Sequence, residues 1–487
     1  MANVRVKYLS GDDMQLLNNL GFPSEDGIVE VTPNRPDMLS EVGIRRVIDL
    51  YRGKKIPHYR SKRLGIDINI EHVPSRPYIE IATLELSSKI ELDDLIEFQE
   101  KLHETYGRKR RRVAIGIHDL GYITPPITYR AVYDETFIPL NSNQRMNIEQ
   151  ILKSLDKGKE YGHLVSPPYP MLYDSAGVIS FPPIINSDRT KLREETRKIL
   201  IDVTGINQHY VKDTMKILLC YFIDLGAKNV ESTTQLDYKT ITAPASKIKE
   251  LINIDVDYRE MLMKSGIEYD GNVAIIPPYR VDFMDWTDVA EEIAINYGYN
   301  HIPKDFPKIY QSAEIGEDPI REIMDRMGFS EVYTSFLVKY DDAKEYFELE
   351  KLQNSVSEDY NAIRPSLELS LLRVIHKNRN AKLPYKIYEV GRVYDPRLDR
   401  EYDQIGFAIM QNEFRVEDYL GIIKTLAMAM NAQLHLDRGG GSKILLDTTS
   451  FKGKINDYEF YVGAVRYEIL ERFEIDRPVV IGIIFKK

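Results

Sequence analysis

GNVAIIPPYRVDFMDWTDVAEEIAINYGYN, residues 271–300, joins a strand, a proline corner and a helix in one short run. Its first half is apolar and β-prone and ends at Pro277-Pro278, where two rings without amide hydrogens block further strand pairing. After a polar turn, Asp288, Val289, Glu291, Glu292, Ile293 and Ile295 take helical spacing, with Val289 and Ile293 four apart on one face. The helix stops at Tyr297-Gly298-Tyr299. Just upstream, Asp257 to Gly266 reads as a second short helix closed by Gly266 as a C-cap. Residues 241–305 therefore form a small connector with helix-turn character rather than a catalytic pocket. Arg280 and Asp282 in its turn suit either a buried ion pair that fixes the corner or a contact to nucleic acid or a ligand.

The chain around this connector has 487 residues, 43% of them hydrophobic, enough for roughly three or four domains. A formal net charge of −10 excludes a protein that coats nucleic acid by bulk charge, so any RNA contact must come from a local patch. The single cysteine, Cys220, excludes an intramolecular disulfide and a multi-cysteine zinc site within the chain. That usage fits a reducing cytosol. No charge-free run reaches the roughly 20 apolar residues of a membrane span, and residues 1–13 lack a signal-like apolar segment. The expected place is the cytoplasm, with no membrane partner.

Toward the N-terminus, Ile28 to Thr32 reads as a strand ended by the rigid turn Pro33-Asn34-Arg35-Pro36-Asp37. Ser40 is placed to cap the next helix, which carries Val42, Arg45, Arg46, Ile48 and Leu50. Arg35 pairs with a carboxylate in this turn or contacts a ligand. Lys54, Lys55, His58, Arg60, Lys62 and Arg63 form a basic cluster that is either a solvated face or an RNA contact.

In the middle region, Leu92 to His103 has the spacing of an amphipathic helix. Arg108, Lys109, Arg110, Arg111 and Arg112 follow it. One or two of these cations suffice to balance a helix C-terminus, and five exceed that need, which makes them candidates for phosphate contact. Val113 to Ile117 reads as a buried strand that delivers His118 and Asp119 to a cleft, or that simply closes a His–Asp hydrogen bond. No HxxxH or HxH spacing nearby supplies further metal ligands. Tyr169 to Asp174 and Ser180 to Ser187 give a second approach to the same cleft, with prolines fixing an extended backbone and Asn186 offering both an acceptor and a donor. Thr190 to Leu200 is expected to be helical, and Ile201 to Gly205 a returning strand.

Beyond residues 306–320, read as a linker containing Pro307, Ile309 and Pro319, a helix runs through Ile323, Met324 and Met327 to Gly328. Val332 to Phe336 has strand character. Leu369, Leu372, Val374 and Ile375 support a core-facing helix, Lys386 to Val390 a strand closed by Gly391, and Val479 to Phe485 a last strand.

Several of these runs resemble one family. PPYR-V-D, the D-x-x-E-E-I-A helix and YGYN are similar to the B5 domain of the beta subunit of phenylalanyl-tRNA synthetase in its archaeal and eukaryotic cytosolic form. The PNRPD run resembles the B1 region of that subunit, reduced here to residues 1–90. FQEKLH, the basic run, AIGIHDL, FIPL, SFPPIINS and a late threonine resemble its B3/B4 editing domain, over residues 91–240. The resemblance makes His118, Asp119, Tyr173, Asp174, Pro183, Asn186 and Thr204 candidate editing-pocket residues, with His118 or Asn186 meeting the phenol of tyrosine. Val203 to Asn207 departs from the family's more polar ending. Residues 321–487 resemble the class II synthetase-like antiparallel module, in which Arg364 and Glu389 are structural remnants. The terminal G-x-G-x-x-x-R helix of an active core is missing, since Gly439-Gly440-Gly441-Ser442 leads into Lys443-Ile444-Leu445-Leu446.

The fold class implied is a multidomain α+β chain, and the function implied is that of a beta subunit. An alpha subunit would bind ATP, magnesium and phenylalanine in an alpha2-beta2 complex on tRNA(Phe), and this chain would hydrolyse mischarged Tyr-tRNA(Phe). The alternatives are a stand-alone Tyr-tRNA editing protein and a tRNA-binding or assembly subunit without editing. A DNA-binding reading rests only on the connector and the five-cation run.

Overall fold

In the computed structural model, the residues described are 2–55, 57–89, 91–302, 304 and 319–486. The linker expected over 306–320 lies outside them except for its last two residues. The chain divides into two units at about residue 306, and each has its own cores.

The first unit centres on two five-stranded sheets packed face to face. One has the strand order Lys62–Arg63, Lys228–Ser232, Tyr78–Glu85, Lys198–Gly205 and Val113–Asp119. The other runs Ile185–Asn186, Gly177–Phe181, Tyr169–Asp174, Ile127–Val132 and Ile68–Ile70. Ile79, Ile81 and Leu200 of the first share a core with Ile127, Tyr129, Leu172 and Ile179 of the second. Strand alternation turns Ile115, Ile117, Ile199, Ile201 and Val203 the other way, onto the helices Leu92–Glu104 and Gln208–Asp224. Two short helices, Ile148–Ser154 and Asp156–Tyr161, supply Ile151 and Tyr161 to a core with Met171, Tyr173 and Val178 of the second sheet.

No helix forms over 190–200. That segment has helical composition, but the Thr196 hydroxyl donates to Asp119 at 2.6 Å and the strand Lys198–Gly205 pairs on both edges. Long-range pairing overrides local propensity here.

The connector holds a three-stranded sheet, with Val273–Ile276 between Lys239–Thr242 and Glu268–Tyr269, and the helices Ala245–Ile252, Tyr258–Met263 and Trp286–Tyr297. Asp285 caps the last helix in a reciprocal box with Asp288. Arg280 is buried and bonds Asp282 at 2.7 Å and Glu292 at 2.7 Å, so the corner is fixed by an interior ion network. Arg35 likewise donates to Asp37 at 2.9 Å, and Arg46 joins Asp37 to Asp224. The helix Glu41–Tyr51 opens at Ser40, whose hydroxyl accepts from the Gly43 amide at 3.1 Å.

The second unit is a seven-stranded sheet ordered Ser330–Glu331, Tyr385–Asp395, Arg400–Met410, Val479–Phe485, Tyr458–Ala464, Phe451–Ile455 and Leu434–Arg438. Its pairs are antiparallel except the first. The helices Glu368–Lys377 and Tyr467–Arg472 pack in one core on it, and Pro319–Arg326 and Val416–Ala429 in another.

Two expectations fail in this unit. The stretch 332–336 is not a strand, because the Thr334 amide and hydroxyl both donate to Glu389 instead of to a ladder. The strand from Tyr385 does not close at Gly391 but runs through it to Asp395. Glycine is needed there because a Cβ would overlap the Arg364 guanidinium. Arg364 and Glu389 are buried and bonded at 2.8 Å, and Thr334 and the Arg392 carbonyl take further Arg364 donors, so the pair is closed on itself.

Candidate functional site

The Val113–Asp119 strand sets Gly116 opposite Asp202, and Ala114 opposite Thr204, of the neighbouring Lys198–Gly205 strand. Ala114, Gly116 and Asp202 floor a cavity of about 520 Å³. That volume falls in the range of small-molecule sites, about 300–1,000 Å³. The hairpin from Ser180 to Asn186 forms one wall, and Gln99 and Glu100 of the helix Leu92–Glu104 contribute another. Arg110 and Lys157 also line it.

Asp202 is the pivotal group. Its Oδ2 lies 2.8 Å from His118 Nε2, and His118 Nδ1 lies 3.1 Å from the Thr190 hydroxyl. A carboxylate only accepts, so Nε2 carries the hydrogen of the bond to Asp202. Gly116 makes room for this chain, since a Cβ there would overlap the Asp202 carboxylate. The order hydroxyl, imidazole, carboxylate has the form of a nucleophile relay. All three are almost fully buried, and of the three only Asp202 lines the cavity. Around it the lining is largely apolar, with Ile117, Phe181, Pro182, Pro183 and Ile184. Ser180 Oγ is buried with no hydrogen-bond partner among the described residues.

At one side, Glu100 accepts from Arg110 at 2.8 Å and faces Lys157 at 3.4 Å. Burial opposes its ionisation, but the His103 ring, Arg110 and Lys157 outweigh it and hold the carboxyl at about 2. Burial also pushes His103 down to about 4, and its Nε2 accepts from the Ile115 amide at 2.8 Å. Arg110 donates onward to the Pro183 and Ile184 carbonyls at 3.0 and 3.1 Å, tying this side to the hairpin. Arg76, fully buried, donates to the Thr204 hydroxyl at 2.9 Å and to the Arg110 carbonyl at 3.2 Å. Burial lowers its pKa to about 10.

Of the seven residues proposed from sequence for the pocket, Pro183 and Asn186 line the cavity. The other five stand outside it, each engaged elsewhere. His118 is enclosed between Thr190 and Asp202. Asp119 accepts from the Gly121 amide and the Thr196 hydroxyl. Tyr173 donates to Glu135 at 2.9 Å, and Asp174 is clamped by Arg189 at 2.7 Å. Thr204 lies beneath Arg76. In the five-cation run, Arg110 is turned inward and is no surface contact, and Arg112 lies over the Tyr210 ring at 3.8 Å. Arg108, Lys109 and Arg111 are exposed.

Sequence reading missed Asp202, Gly116 and Thr190. The signal available was a lone aspartate inside the apolar run Ile199 to Val203, a costly residue to bury without a task. A second cavity, of about 290 Å³ near the N-terminus, is a weaker candidate. Its Lys7, Arg45 and Lys101 are each already paired with an acid. Among the described residues no cluster of three or more His, Cys, Asp or Glu could hold a metal ion, and no helix is long and apolar enough to cross a membrane.

Comparison with known proteins gives three family matches in chain order. Residues 81–219 match the B3/4 domain, 241–299 the tRNA synthetase B5 domain, and 302–484 the phenylalanyl tRNA synthetase beta chain CLM domain. The phenylalanine–tRNA ligase beta subunit of Metallosphaera sedula is 34% identical, over 80% of this chain and 78% of its own. That of Sulfolobus acidocaldarius is 32% identical, over 94% and 91%. The crystal structure of an N-terminal fragment of the phenylalanyl-tRNA synthetase beta subunit from Pyrococcus horikoshii is 31% identical. It covers 59% of this chain and 93% of the fragment, with a TM-score of 0.55.

Proposed function

The chain belongs to the family of phenylalanyl-tRNA synthetase beta subunits, and from that premise we propose that it hydrolyses tyrosine wrongly attached to tRNA(Phe) in the cavity above Asp202. It acts as the beta subunit, present twice, of an alpha2-beta2 assembly in the cytoplasm. The alpha subunit binds ATP, magnesium and phenylalanine and joins phenylalanine to tRNA(Phe), while this chain supports tRNA binding.

The observation that carries the editing reading is the Asp202 carboxylate at the floor of a mainly apolar cavity, oriented by His118. Tyrosine and phenylalanine differ by one hydroxyl. A site that must satisfy a buried acceptor rejects the analogue lacking the donor, whereas an apolar synthetic pocket excludes an added hydroxyl poorly. Asp202, with Asn186 beside the same cavity, supplies such an acceptor. His118, whose ring nitrogens are both engaged, acts through Asp202 as a positioning residue. The bond broken is an aminoacyl ester, already activated. Water adds to its carbonyl carbon, the acyl–oxygen bond to the ribose breaks, and the ribose oxygen recovers a proton. Positioning of water and ester provides much of the rate without a protein nucleophile.

Asp202→Asn in the assembled enzyme separates the two activities. Charged hydrogen bonds contribute about 1.5–3 kcal/mol, so Tyr-tRNA(Phe) hydrolysis is expected to fall about 10- to 100-fold while Phe-tRNA(Phe) synthesis is retained. Unchanged hydrolysis in the variant overturns the assignment of Asp202. No hydrolysis by the unmodified enzyme favours a tRNA-binding subunit without editing.

A further inference from the structure

Arg108, Lys109 and Arg110 have φ angles of 47°, 52° and 60°, three successive side-chain-bearing residues in the left-handed region. Such conformations are costly outside glycine, about 1–3 kcal/mol each, and persist where surrounding structure over-determines them. The surrounding structure is visible. The amides of Lys109, Arg110 and Arg112 donate to Glu104, His103 and Gly107 carbonyls, and Arg76 holds the Arg110 carbonyl. The left-handed winding splits the cations. Arg110 turns inward to line the cavity and bond the Pro183 and Ile184 carbonyls, and Arg108, Lys109 and Arg111 face solvent with no ion pair among the described residues. In a chain with a net charge of −10, three unpaired cations flanking a cavity-lining residue form a local anion-attracting edge.

Resting on the editing reading above, we propose that this turn grips backbone phosphates of the single-stranded tRNA end whose terminal ester enters the cavity. Arg108, Lys109 and Arg111 take the phosphates, and Arg110 ties the turn to the hairpin wall, so the gripped strand and the cavity hold a fixed spacing. An inward Arg110 between outward cations is what such a grip needs.

The test uses the assembled enzyme with the variant R108Q/K109Q/R111Q, reading tRNA(Phe) affinity against salt and KM for Tyr-tRNA(Phe) hydrolysis. Three single-strand phosphate contacts correspond to a decrease of about 2 in the slope of log K against log salt. The effect on hydrolysis falls on KM more than on kcat. K109G is the second variant. Its left-handed backbone suits glycine, so its unfolding temperature is expected to stay level or rise while the slope drops by about 0.7. Wild-type slope and KM in both variants, with hydrolysis intact, overturn the grip and leave editing standing. A reduced slope in an enzyme that hydrolyses no Tyr-tRNA overturns editing and keeps the phosphate contact.

Discussion

Gly116 is the single position on which the cavity floor depends most directly, because its missing Cβ is the space the Asp202–His118 pair occupies. Gly116→Ala forces Asp202 aside. The expected cost is about 1–3 kcal/mol from overpacking, together with loss of Tyr-tRNA hydrolysis, measurable by urea unfolding and deacylation on the same preparation. A variant that unfolds and deacylates like the parent contradicts the floor described here. The residue scale is also where sequence is least informative. His118 was legible as a polar residue at a strand end, lining a cleft or closing a His–Asp hydrogen bond, but its partner, Asp202, is 84 residues away and is set beside it only by strand register. Tyr173, Asp174 and Asp119 look like site residues by type, yet Glu135, Arg189 and Thr196 occupy their polar atoms. Nothing in local spacing reveals which buried polar group is already satisfied.

Among the elements, the proline corner and following helix of the connector were readable because Pro277-Pro278 and Gly298 act locally. The Arg280–Glu292 pair that holds them is an interior ion bond. Arg280→Met leaves Glu292 buried without its cation, and the expected destabilisation is about 3–5 kcal/mol in chemical unfolding. A loss below about 1 kcal/mol contradicts a buried, uncompensated carboxylate. The same network fixes a pH dependence. Burial opposes ionisation of Glu292 and Asp37, but Arg280 for the first and Arg35 and Arg46 for the second hold both carboxyls at about 2. Folded values below the ordinary ones mean stability is fully present above the ordinary carboxylate range. It is lost as pH falls from about 4.5 toward 2, on the order of 3 kcal/mol for Glu292 and 2 kcal/mol for Asp37. Urea unfolding followed across that window checks the sign, and a midpoint that is flat or rises on acidification contradicts it. By contrast, the helix expected over Thr190 to Leu200 gives way to a strand that already begins at Lys198. Its seed sequence favours helix, and the pairing on both edges that decides the matter comes from residues 78–85 and 113–119.

For the molecule as a whole, domain order was the most legible feature, since the motifs that resemble the B3/B4, B5 and class II-like modules are local and follow one another along the chain. Each unit meets its own physical requirement separately. The first closes a cavity between paired sheets, and the second buries Arg364 against Glu389 beneath an antiparallel sheet. The account's central claim is that the first unit distinguishes one phenolic hydroxyl. It is tested most directly by measuring, side by side, the deacylation rates of Tyr-tRNA(Phe) and Phe-tRNA(Phe) by the assembled enzyme at equal concentrations. A cavity built around the Asp202 acceptor predicts a preference for the tyrosyl ester of at least about 100-fold. Equal rates for the two esters, or hydrolysis of neither, would contradict it.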